Sequence, residues 1–545
     1  MGLESKNEYI KVASYEGRKG EVKKVVLLYS GGLDTSTMLK WIQEEYRAEV
    51  IALTIDIGQQ TDDLEEIRNK ALKLGAVKAF VIDAKEEFAE EYIAKGIKAN
   101  VMYQGRYYLS CPLGRPLLAK WAVKIAAQEG ADAIAHGATG KGNDQIRIEG
   151  SALALNPDIK VIAPVREWGM GRTEQLEYCR KHGIPVKQTK EKPYSYDDNM
   201  WGVTGEGGEI ENPALVPPLH KILQVCRTPE KAKDTPEYIK LEFEKGLPVA
   251  INDKQMSLVD IIYKLNKIAA EHAVGIVHLL EDRVIGLKVR GIYEEPAAET
   301  IITGHKALER YTSTRLENEF KTMVDEKWAY LCYGALWYEP LMEDLNAYED
   351  KANEKVTGVA TLKLYKGSVE AVAVETPNTI FDEKLATFME AGDHFFNQNA
   401  SAGFIEHYTM QMKLAQRRRR TALLAVGGRD QKLKLLPQMK ELDRMGYQLY
   451  ATYKTHKFLK ANGVEAILVN KIASPELKPN LRDLLDAKRF DIIVNIPTSN
   501  PARMKDKEKT DGQTIREKAV RTDTTLITSI SVATEVVAKL SGARI

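Results

Sequence analysis

The chain has 545 residues, 44% of them hydrophobic, and sets 78 lysines and arginines against 77 aspartates and glutamates for a net charge of +1. That length allows several cores, at roughly 150 residues per domain, while a charge near zero supplies no overall field to draw the chain to nucleic acid or an anionic membrane. Cys111, Cys179, Cys226 and Cys332 are scattered without CxxC spacing, which argues against disulfides, a zinc knuckle or an iron–sulfur cluster and fits a reducing, cytoplasmic setting.

Residues 1–22 read as a polar N-terminal extension with no apolar h-region, and no later run has the length of a membrane span. Gly2 begins a partial myristoylation pattern, but Lys6 stands where Ser or Thr is required. From there, short β-branched runs at 24–29, 50–55 and 78–82 predict strands, separated by helical patterns at 35–46, 62–74 and 85–95. A helix near 115–129 and strands near 132–136 and 160–163 continue the alternation. This βαβ rhythm predicts a first α/β domain over 23–188, built on a parallel sheet covered on both faces.

The rhythm then changes to an α+β pattern over 189–415. KPYSYDDNMWGVTGEGGEIENPALVPP is rich in glycine, proline and aromatic residues and predicts an ordered surface loop. The stretches 241–300 and 357–377 predict antiparallel strands around a helix at 257–272. A long helical pattern from about 305 to 350 carries apolar positions on more than one face, among them Tyr330, Leu331, Trp337 and Leu345. Such a helix suits packing against another subunit, and burial within the chain would give the same pattern. QRRRRT, over 416–421, reads as a basic solvated linker, since its arginines occur once and without interleaved aromatics. Over 422–545, strands at 422–426, 447–450, 466–469, 491–494 and 525–528 alternate with helices near 434–445, 455–462, 479–486, 512–520 and 530–540. They predict a separate doubly wound α/β unit.

Two segments carry chemistry. In LLYSGGLDTS a strand ends at Tyr29, and Ser30-Gly31-Gly32 must turn into a helix beginning near Asp34. Two glycines allow unusual backbone angles and a close approach. Their N–H groups and the positive end of the helix suit an anion such as the β,γ-pyrophosphate of ATP, with Ser30, Thr35 and Ser36 adding hydroxyls. A plain tight turn capped by Asp34 is the alternative. Neither GxxxxGK[ST] nor GxGxxG is present at this turn. Asp56, Gly58 and Gln59 follow the second strand and suit the adenosine, although Asp56 also reads as a satisfied strand-end acid. HGATGKGNDQIR, His136 to Arg147, follows another strand and gathers Thr139, Lys141, Asn143, Asp144, Gln145 and Arg147 beside a small-residue backbone that includes Gly137. Such groups cannot be ordered without partners. Lys141 and Arg147 suit carboxylates or phosphates, with Arg147 able to form a fork. Asn143 and Asp144 suit an amine and its neighbouring carboxylate.

SGGLDTS resembles the SGGxD loop of enzymes that cleave ATP between its α- and β-phosphates. Together with HGATGKGND, YQGRYYLSCPLGRPLLAK (103–120), KVIAPVREW (160–168), KPYSYDDNMWG (192–202) and DRVIGLKVRGIYEEPAAETI (282–301), it makes residues from about 23 to 405 closely similar to the argininosuccinate synthase family. The resemblance implies an adenine nucleotide alpha hydrolase-like first domain, a synthetase domain, and a homotetramer. The implied reaction condenses citrulline with aspartate through a citrulline adenylate, using ATP and Mg2+ and releasing AMP and pyrophosphate. Another AMP-forming ligase with a changed acceptor, or an inactive metabolite sensor, is the alternative. Carried over by position, Tyr29, Ser30, Gly31, Gly32, Asp34, Thr35, Ser36, Asp56, Gln59 and Gly137 are implied around ATP. Thr139, Asn143 and Asp144 are implied around aspartate, and Tyr107, Arg147, Ser195, Thr204, Glu206, Glu281 and Tyr293 around citrulline. Asp34, Lys141 and Asp144 take the catalytic roles. No resident metal ligands, nucleic acid or membrane partner are implied. The chain departs from the pattern at Cys111-Pro112, where the family carries small or hydroxyl residues and Pro112 has no donor; Thr204 replaces a serine and keeps the hydroxyl.

Residues 421–540 resemble the methylglyoxal-synthase-like domain that ends the carbamoyl-phosphate synthase large chain, through ALLAVGGRD, GYQLYATYKTHKFLKANGV, ILVNKI, FDIIVNIPTS and DGQTIREKAV. This implies a pocket for an anionic allosteric effector at Thr452, Thr455, Lys457, Thr498 and Ser499. SNPARMKDKEK stands after Thr498 in place of the glycine-rich segment with the catalytic aspartate. Regulation or scaffolding is therefore expected rather than methylglyoxal synthesis.

Overall fold

Val25, Val26 and Leu27 are wholly buried and centre the first strand, β1 (Lys24–Leu28), of a computed structural model that describes residues 9–60, 63–185, 194–386, 397–417, 420–497 and 510–542. The chain divides into two units, Met1–Thr387 and Phe388–Ile545. In the first, β1 is joined by β2 (Glu49–Asp56), β3 (Lys78–Asp83), β4 (Ala133–Ala135) and β5 (Lys160–Ile162), all parallel, in the order β3-β2-β1-β4-β5. The intervening helices are α1 (Leu33–Glu45), α2 (Leu64–Lys73), α3 (Lys85–Phe88), α4 (Ala94–Lys98), α5 (Ser110–Glu129) and α6 (Asp144–Leu155), with α7 (Pro164–Glu167) and α8 (Arg172–Lys181) after β5. Side chains alternate across the strands, so Val25 and Leu27 pack with Met38, Leu39 and Ile42 of α1 on one face. Val26, Ile51 and Leu53 pack with Leu113, Leu117 and Ala122 of α5 on the other. Strand order reverses between β1 and β4, and the chain leaving their carboxyl ends opens a crevice there. Ser30–Gly32 and His136–Asn143 are the segments that leave those ends.

The antiparallel part carries α9 (Leu219–Ile222), α10 (Leu258–Glu271) and two sheets. β8 (Glu237–Glu244), β9 (Leu247–Ile251), β10 (Lys254–Gln255), β13 (Gly358–Tyr365) and β14 (Ser368–Glu375) form one, in the order β10-β9-β8-β13-β14. β6 (Tyr194–Asn199), β7 (Gly202–Gly207), β11 (Ile276–Asp282) and β12 (Lys288–Glu294) form the other, in the order β11-β12-β7-β6. The expected surface loop after residue 192 is therefore corrected over 194–207: it is a hairpin turning at Met200-Trp201, both buried. Its composition suggested a loop, but the glycines allow close packing, since a Cβ on Gly202 would lie 2.7 Å from Glu295 Cγ and 2.9 Å from the Glu294 carbonyl. The Trp201 indole donates to the Tyr108 carbonyl at 2.9 Å and Asn199 Nδ2 to the Ser110 carbonyl at 2.8 Å, clamping the hairpin onto the start of α5.

The long helical pattern at 305–350 is also corrected, to α11 (Pro296–Thr312), α12 (Arg315–Tyr333) and α13 (Pro340–Asn353), so that 296–300 is helix rather than strand. Thr314 caps α12 in a capping box with Glu317, and Gly334 together with Pro340 separates α12 from α13. Leu331 and Trp337 are buried within the unit, with Trp337 stacked on Tyr92 at 4.9 Å, whereas Leu316, Phe320, Met323 and Tyr330 leave an exposed apolar stripe along α12. α14 (Glu383–Ala386) follows.

The second unit begins with α15 (Ala400–Tyr408) and α16 (Met410–Arg417). Its sheet, in the order β17-β16-β15-β18-β19 and all parallel, comprises β15 (Thr421–Val426), β16 (Gln448–Thr452), β17 (Ile467–Val469), β18 (Ile492–Ile496) and β19 (Thr525–Ile527). α17 (Arg429–Arg444), α18 (Tyr453–Ala461), α19 (Leu481–Asp486), α20 (Asp511–Arg521) and α21 (Ile530–Leu540) cover its two faces.

Candidate functional site

β1 hands over to α1 through Ser30-Gly31-Gly32. Gly31 has φ +76°, and a Cβ there would meet Ile67 at 3.1 Å, so glycine is required on both conformational and steric grounds. Gly32 is the N-cap of α1 and no side chain caps it, which leaves the first amides to a ligand. Asp34 lies in the first turn rather than at the cap. Burial raises its carboxyl pKa, against a hydrogen bond from Gln175 and attraction to Arg172. The Ser30 and Thr35 hydroxyls are 3.2 Å apart and face a cavity of about 940 Å³ that Gly32, Asp34, Arg115, Gly137, Asp144, Arg172 and Ser195 also line. A side lobe of about 360 Å³ runs past Tyr29, Thr54, Ile57 and Gln59.

The other end of the crevice narrows to about 290 Å³, and there all ten acceptor candidates meet: Tyr107, Thr139, Asn143, Asp144, Arg147, Ser195, Thr204, Glu206, Glu281 and Tyr293. The two domains supply opposite walls. The Tyr107 ring stacks on Tyr293 at 4.3 Å, and the Tyr293 and Tyr333 hydroxyls donate to the two Glu281 oxygens at 2.6 and 2.8 Å. Asn143 donates to the Tyr333 hydroxyl at 2.8 Å and accepts from the Val284 amide at 3.0 Å, so its amide joins the walls. Arg283 donates to Glu206 at 2.5 Å and to the Lys141 carbonyl at 3.1 Å. Burial, then the Glu281 charge, pushes the Tyr293 hydroxyl pKa well up, so it stays a donor.

Arg115 sits where the compartments join. Its guanidinium, nine-tenths buried, donates to Asp144 at 2.9 Å, lies 3.1 Å from Cys111 Sγ and pairs with Asp197. Arg147 closes the group, donating to Asp144 at 2.8 Å and to the Tyr333 carbonyl at 3.0 Å, while its NH2 is buried without a partner among the described residues. Burial opposes ionisation of Asp144, but Arg115 and Arg147 hold its carboxyl well below the usual range. Burial pushes the Cys111 thiol up to about 12, with Arg115 opposing and Asp144 adding. Cys111, Asp144 and Asp197 have the spacing of a metal site. The Arg115 cation stands among their ligand atoms, and a second cation there would meet repulsion without new counter-charge.

Several expected residues lie apart from the cavities or have their polar groups committed elsewhere. Ser36 is buried, with its hydroxyl on Tyr29 and on the Gly31 carbonyl, and so supports the turn. Gly31 shapes the turn without lining it. Asp56 is the satisfied strand-end acid, paired with Lys85 at 2.5 Å and accepting the Gly58 amide at 2.9 Å. The Gln59 amide is committed to the Ile55 carbonyl and the Ile57 amide at 2.8 Å each. The Lys141 side chain is exposed and lines none of the crevice described here, so the geometry gives it no catalytic position. Arg115, Arg283 and Tyr333 were missed. Arg115 had a signal, being the one charge in the apolar run CPLGRPLLA.

A second cavity, of about 1090 Å³, opens at the carboxyl ends of β15, β16 and β18 in the second unit. Of the effector candidates Thr452 lines it; Thr455 is buried against the Val426 backbone, Lys457 lies over the Tyr453 ring, and Thr498 and Ser499 fall outside the described residues. Arg429, Lys432, Lys454, Lys471 and Arg516 line it, against Asp511 as the only acid among the described lining residues. Lys432 is 7% exposed and donates to the Lys454 carbonyl at 3.2 Å; burial and the neighbouring Lys454 lower its pKa.

A parallel sheet with an uncapped Ser-Gly-Gly turn at its switch point, opening on a polar crevice that reaches the antiparallel sheets, suits the class of ATP-using synthetases. The family profile described as "Arginosuccinate synthase N-terminal HUP domain" matches residues 24–185, and "Arginosuccinate synthase C-terminal domain" matches 194–415. The chain belongs to the argininosuccinate synthase family. It is 47% identical over 392 residues to the argininosuccinate synthase of Pyrococcus furiosus, covering 72% of this chain and 94% of that one. It is 46% identical over 393 residues to that of Carboxydothermus hydrogenoformans, covering 72% and 97%. With that of Rubrobacter xylanophilus it shares 48% over 383 residues, covering 70% and 92%. An "MGS-like domain" profile matches residues 434–528.

A thiol held near 12 is un-ionised at neutral pH and a poor nucleophile. Iodoacetamide at pH 8 is therefore expected to leave Cys111 unmodified and activity intact, as read by peptide mass spectrometry; rapid alkylation at Cys111 would contradict the charge arrangement described.

Proposed function

We propose that this chain condenses citrulline with aspartate in the cytoplasm, at the expense of ATP, to give argininosuccinate for arginine biosynthesis. One observation carries the reading: Asp34, Gly137, Ala138, Asp144, Ser195, Tyr196 and Asp197 line both the nucleotide cavity and the acceptor pocket. A nucleotide and an acceptor bound there share one wall, which is what a direct transfer between them requires. The domain over 23–188 supplies the ATP side, and that over 189–415 most of the citrulline side.

The ureido oxygen of citrulline attacks the α-phosphorus of ATP, the bond between the α- and β-phosphates breaks, and pyrophosphate leaves. The aspartate amine then attacks the activated ureido carbon, loses a proton, and AMP departs with the former ureido oxygen. Magnesium enters with the nucleotide as MgATP, and Asp34 at the phosphate turn is the carboxylate that would face it. The turn amides and α1 stabilise charge developing on pyrophosphate, worth about 3 kcal/mol per well-placed donor. Tyr107, Arg147, Ser195, Thr204, Glu206, Glu281 and Tyr293 hold citrulline, while Thr139 and Asp144 receive aspartate. Pro112, buried in α5, offers no donor, so Thr204 and Ser195 carry the hydroxyl contacts.

The second unit acts as a sensor of an anionic metabolite at the Lys432 cavity, and the exposed stripe on α12 supports a homotetramer. Among the described residues no helix is long and apolar enough to cross a membrane.

Pyrophosphate release from MgATP is expected to require citrulline, and argininosuccinate to form only with aspartate added. Asp144→Asn is expected to lower kcat/KM about a hundredfold or more, by breaking the charge group. Release without citrulline would contradict the reading. Light scattering should give the mass of four chains, and inorganic phosphate should raise the unfolding midpoint of the native chain more than that of Lys432→Met, which keeps the phosphate turn at Ser30–Gly32 but loses the Lys432 site. An equal rise in both would remove Lys432 from the effector site.

A further inference from the structure

The family match begins at residue 24, yet residues 9–22 are folded onto the edge of the catalytic sheet. β5 is an edge strand. The Tyr15 carbonyl accepts from the Val161 amide at 2.9 Å and the Gly17 amide donates to the Val161 carbonyl at 2.9 Å, pairing Glu16 with Val161 in parallel. The N-terminal segment thus covers backbone that an edge would leave open. Glu16, 6% exposed, holds the preceding turn by accepting the Val12 and Ala13 amides at 2.8 and 3.0 Å and the Tyr9 hydroxyl.

That anchoring fixes where the Tyr15 side chain reaches. Its hydroxyl donates to Glu149 Oε2 at 2.8 Å. Glu149, on α6 and 4% exposed, also receives His136 Nε2 at 3.0 Å and Arg166 at 2.6 Å on its other oxygen. Two branches leave this carboxylate. His136 Nδ1 accepts the Ala138 amide at 3.2 Å, which makes Nε2 the protonated nitrogen. Arg166 donates to Gln145 Oε1 at 3.0 Å, and Gln145 Nε2 donates to the Gly140 and Gly142 carbonyls at 2.8 and 3.2 Å. Between them the branches hold both ends of the loop over 137–143, whose Gly137, Ala138, Thr139 and Asn143 line the acceptor pocket. A buried carboxylate that loses one of its donors keeps the desolvation cost without the compensating bond, and the rest of the network rearranges around it.

We propose that Tyr15 is a positioning residue for the ligase: acting through Glu149, it fixes the loop that receives aspartate, so a segment outside the family match sets affinity for the amine substrate without touching it. This rests on the reading of that pocket given above. A role in stability alone would lower the unfolding midpoint and leave the substrate KM values as they are.

The test compares Tyr15→Phe with Tyr9→Phe, which removes a hydroxyl from the same segment but from the Glu16 turn. In the full chain Tyr15→Phe is expected to raise the KM for aspartate about fivefold, with kcat and the KM for MgATP within about twofold. Hydrogen exchange at the 137–143 amides is expected to quicken. Tyr9→Phe is expected to move neither reading, because the Val12 and Ala13 amides still hold Glu16 and the backbone pairing with Val161 still fixes Tyr15. An unchanged aspartate KM with only a lower unfolding midpoint overturns the proposal, as does an equal rise in every KM. If the native chain forms no argininosuccinate, the functional reading fails; unchanged exchange at 137–143 in Tyr15→Phe would then still overturn the positioning role, and faster exchange would support it.

Discussion

Burial of ionised groups at the junction of the two domains is the constraint on which the site depends. Arg115 and Arg147 bracket Asp144 at 2.9 and 2.8 Å, and Arg115 also pairs with Asp197. Two cations and two carboxylates balance, and removing one partner of such a group costs about 3–5 kcal/mol because an uncompensated charge stays behind. The members come from α5, from the start of α6 and from the β6 strand, so the balance is met only when parallel sheet and hairpin are assembled together. Catalytic geometry and domain docking are thereby one requirement. The Asn143–Tyr333–Glu281–Tyr293 chain repeats the logic with an amide and two hydroxyls around one carboxylate, tying the loop after β4 to β11, β12 and α12.

The parallel sheets were legible in the sequence because their strands are buried on both faces. KVVLL and VIALTI are continuous apolar runs, and the helices between them keep a 3.6-residue period. The hairpin at 194–207 was not legible, because Tyr, Asp, Gly and Trp there serve a polar pocket on one side and close packing on the other. The break at 313–314 did have a signal, the Thr314-to-Glu317 capping pattern, which the apolar positions running through it concealed.

The ten acceptor candidates named by resemblance line one pocket, gathered from five segments that only the fold brings together. Local chemistry was a poorer guide to individual roles. Lys141 and Asp56 carry suitable charges, yet the first is exposed and lines none of the crevice, and the second is satisfied by Lys85. Ser36 looked like a phosphate hydroxyl but braces the turn from beneath. Residues that position others, Arg115 and Tyr15 among them, make their contacts across large sequence separations and leave almost no local signature. The second unit shows the same split: its sheet was plain, while its cavity is lined by Lys432 and Arg429 from the start of α17, ahead of the hydroxyls that the resemblance pointed to.

In the proposed reaction one crevice brings the ureido oxygen to the α-phosphorus of ATP. Citrulline labelled with heavy oxygen in the ureido group tests it most directly, with the AMP product examined by mass spectrometry. Each AMP formed is expected to carry the label, because that oxygen leaves with the α-phosphate. Unlabelled AMP, with the heavy oxygen in water or pyrophosphate, would contradict it.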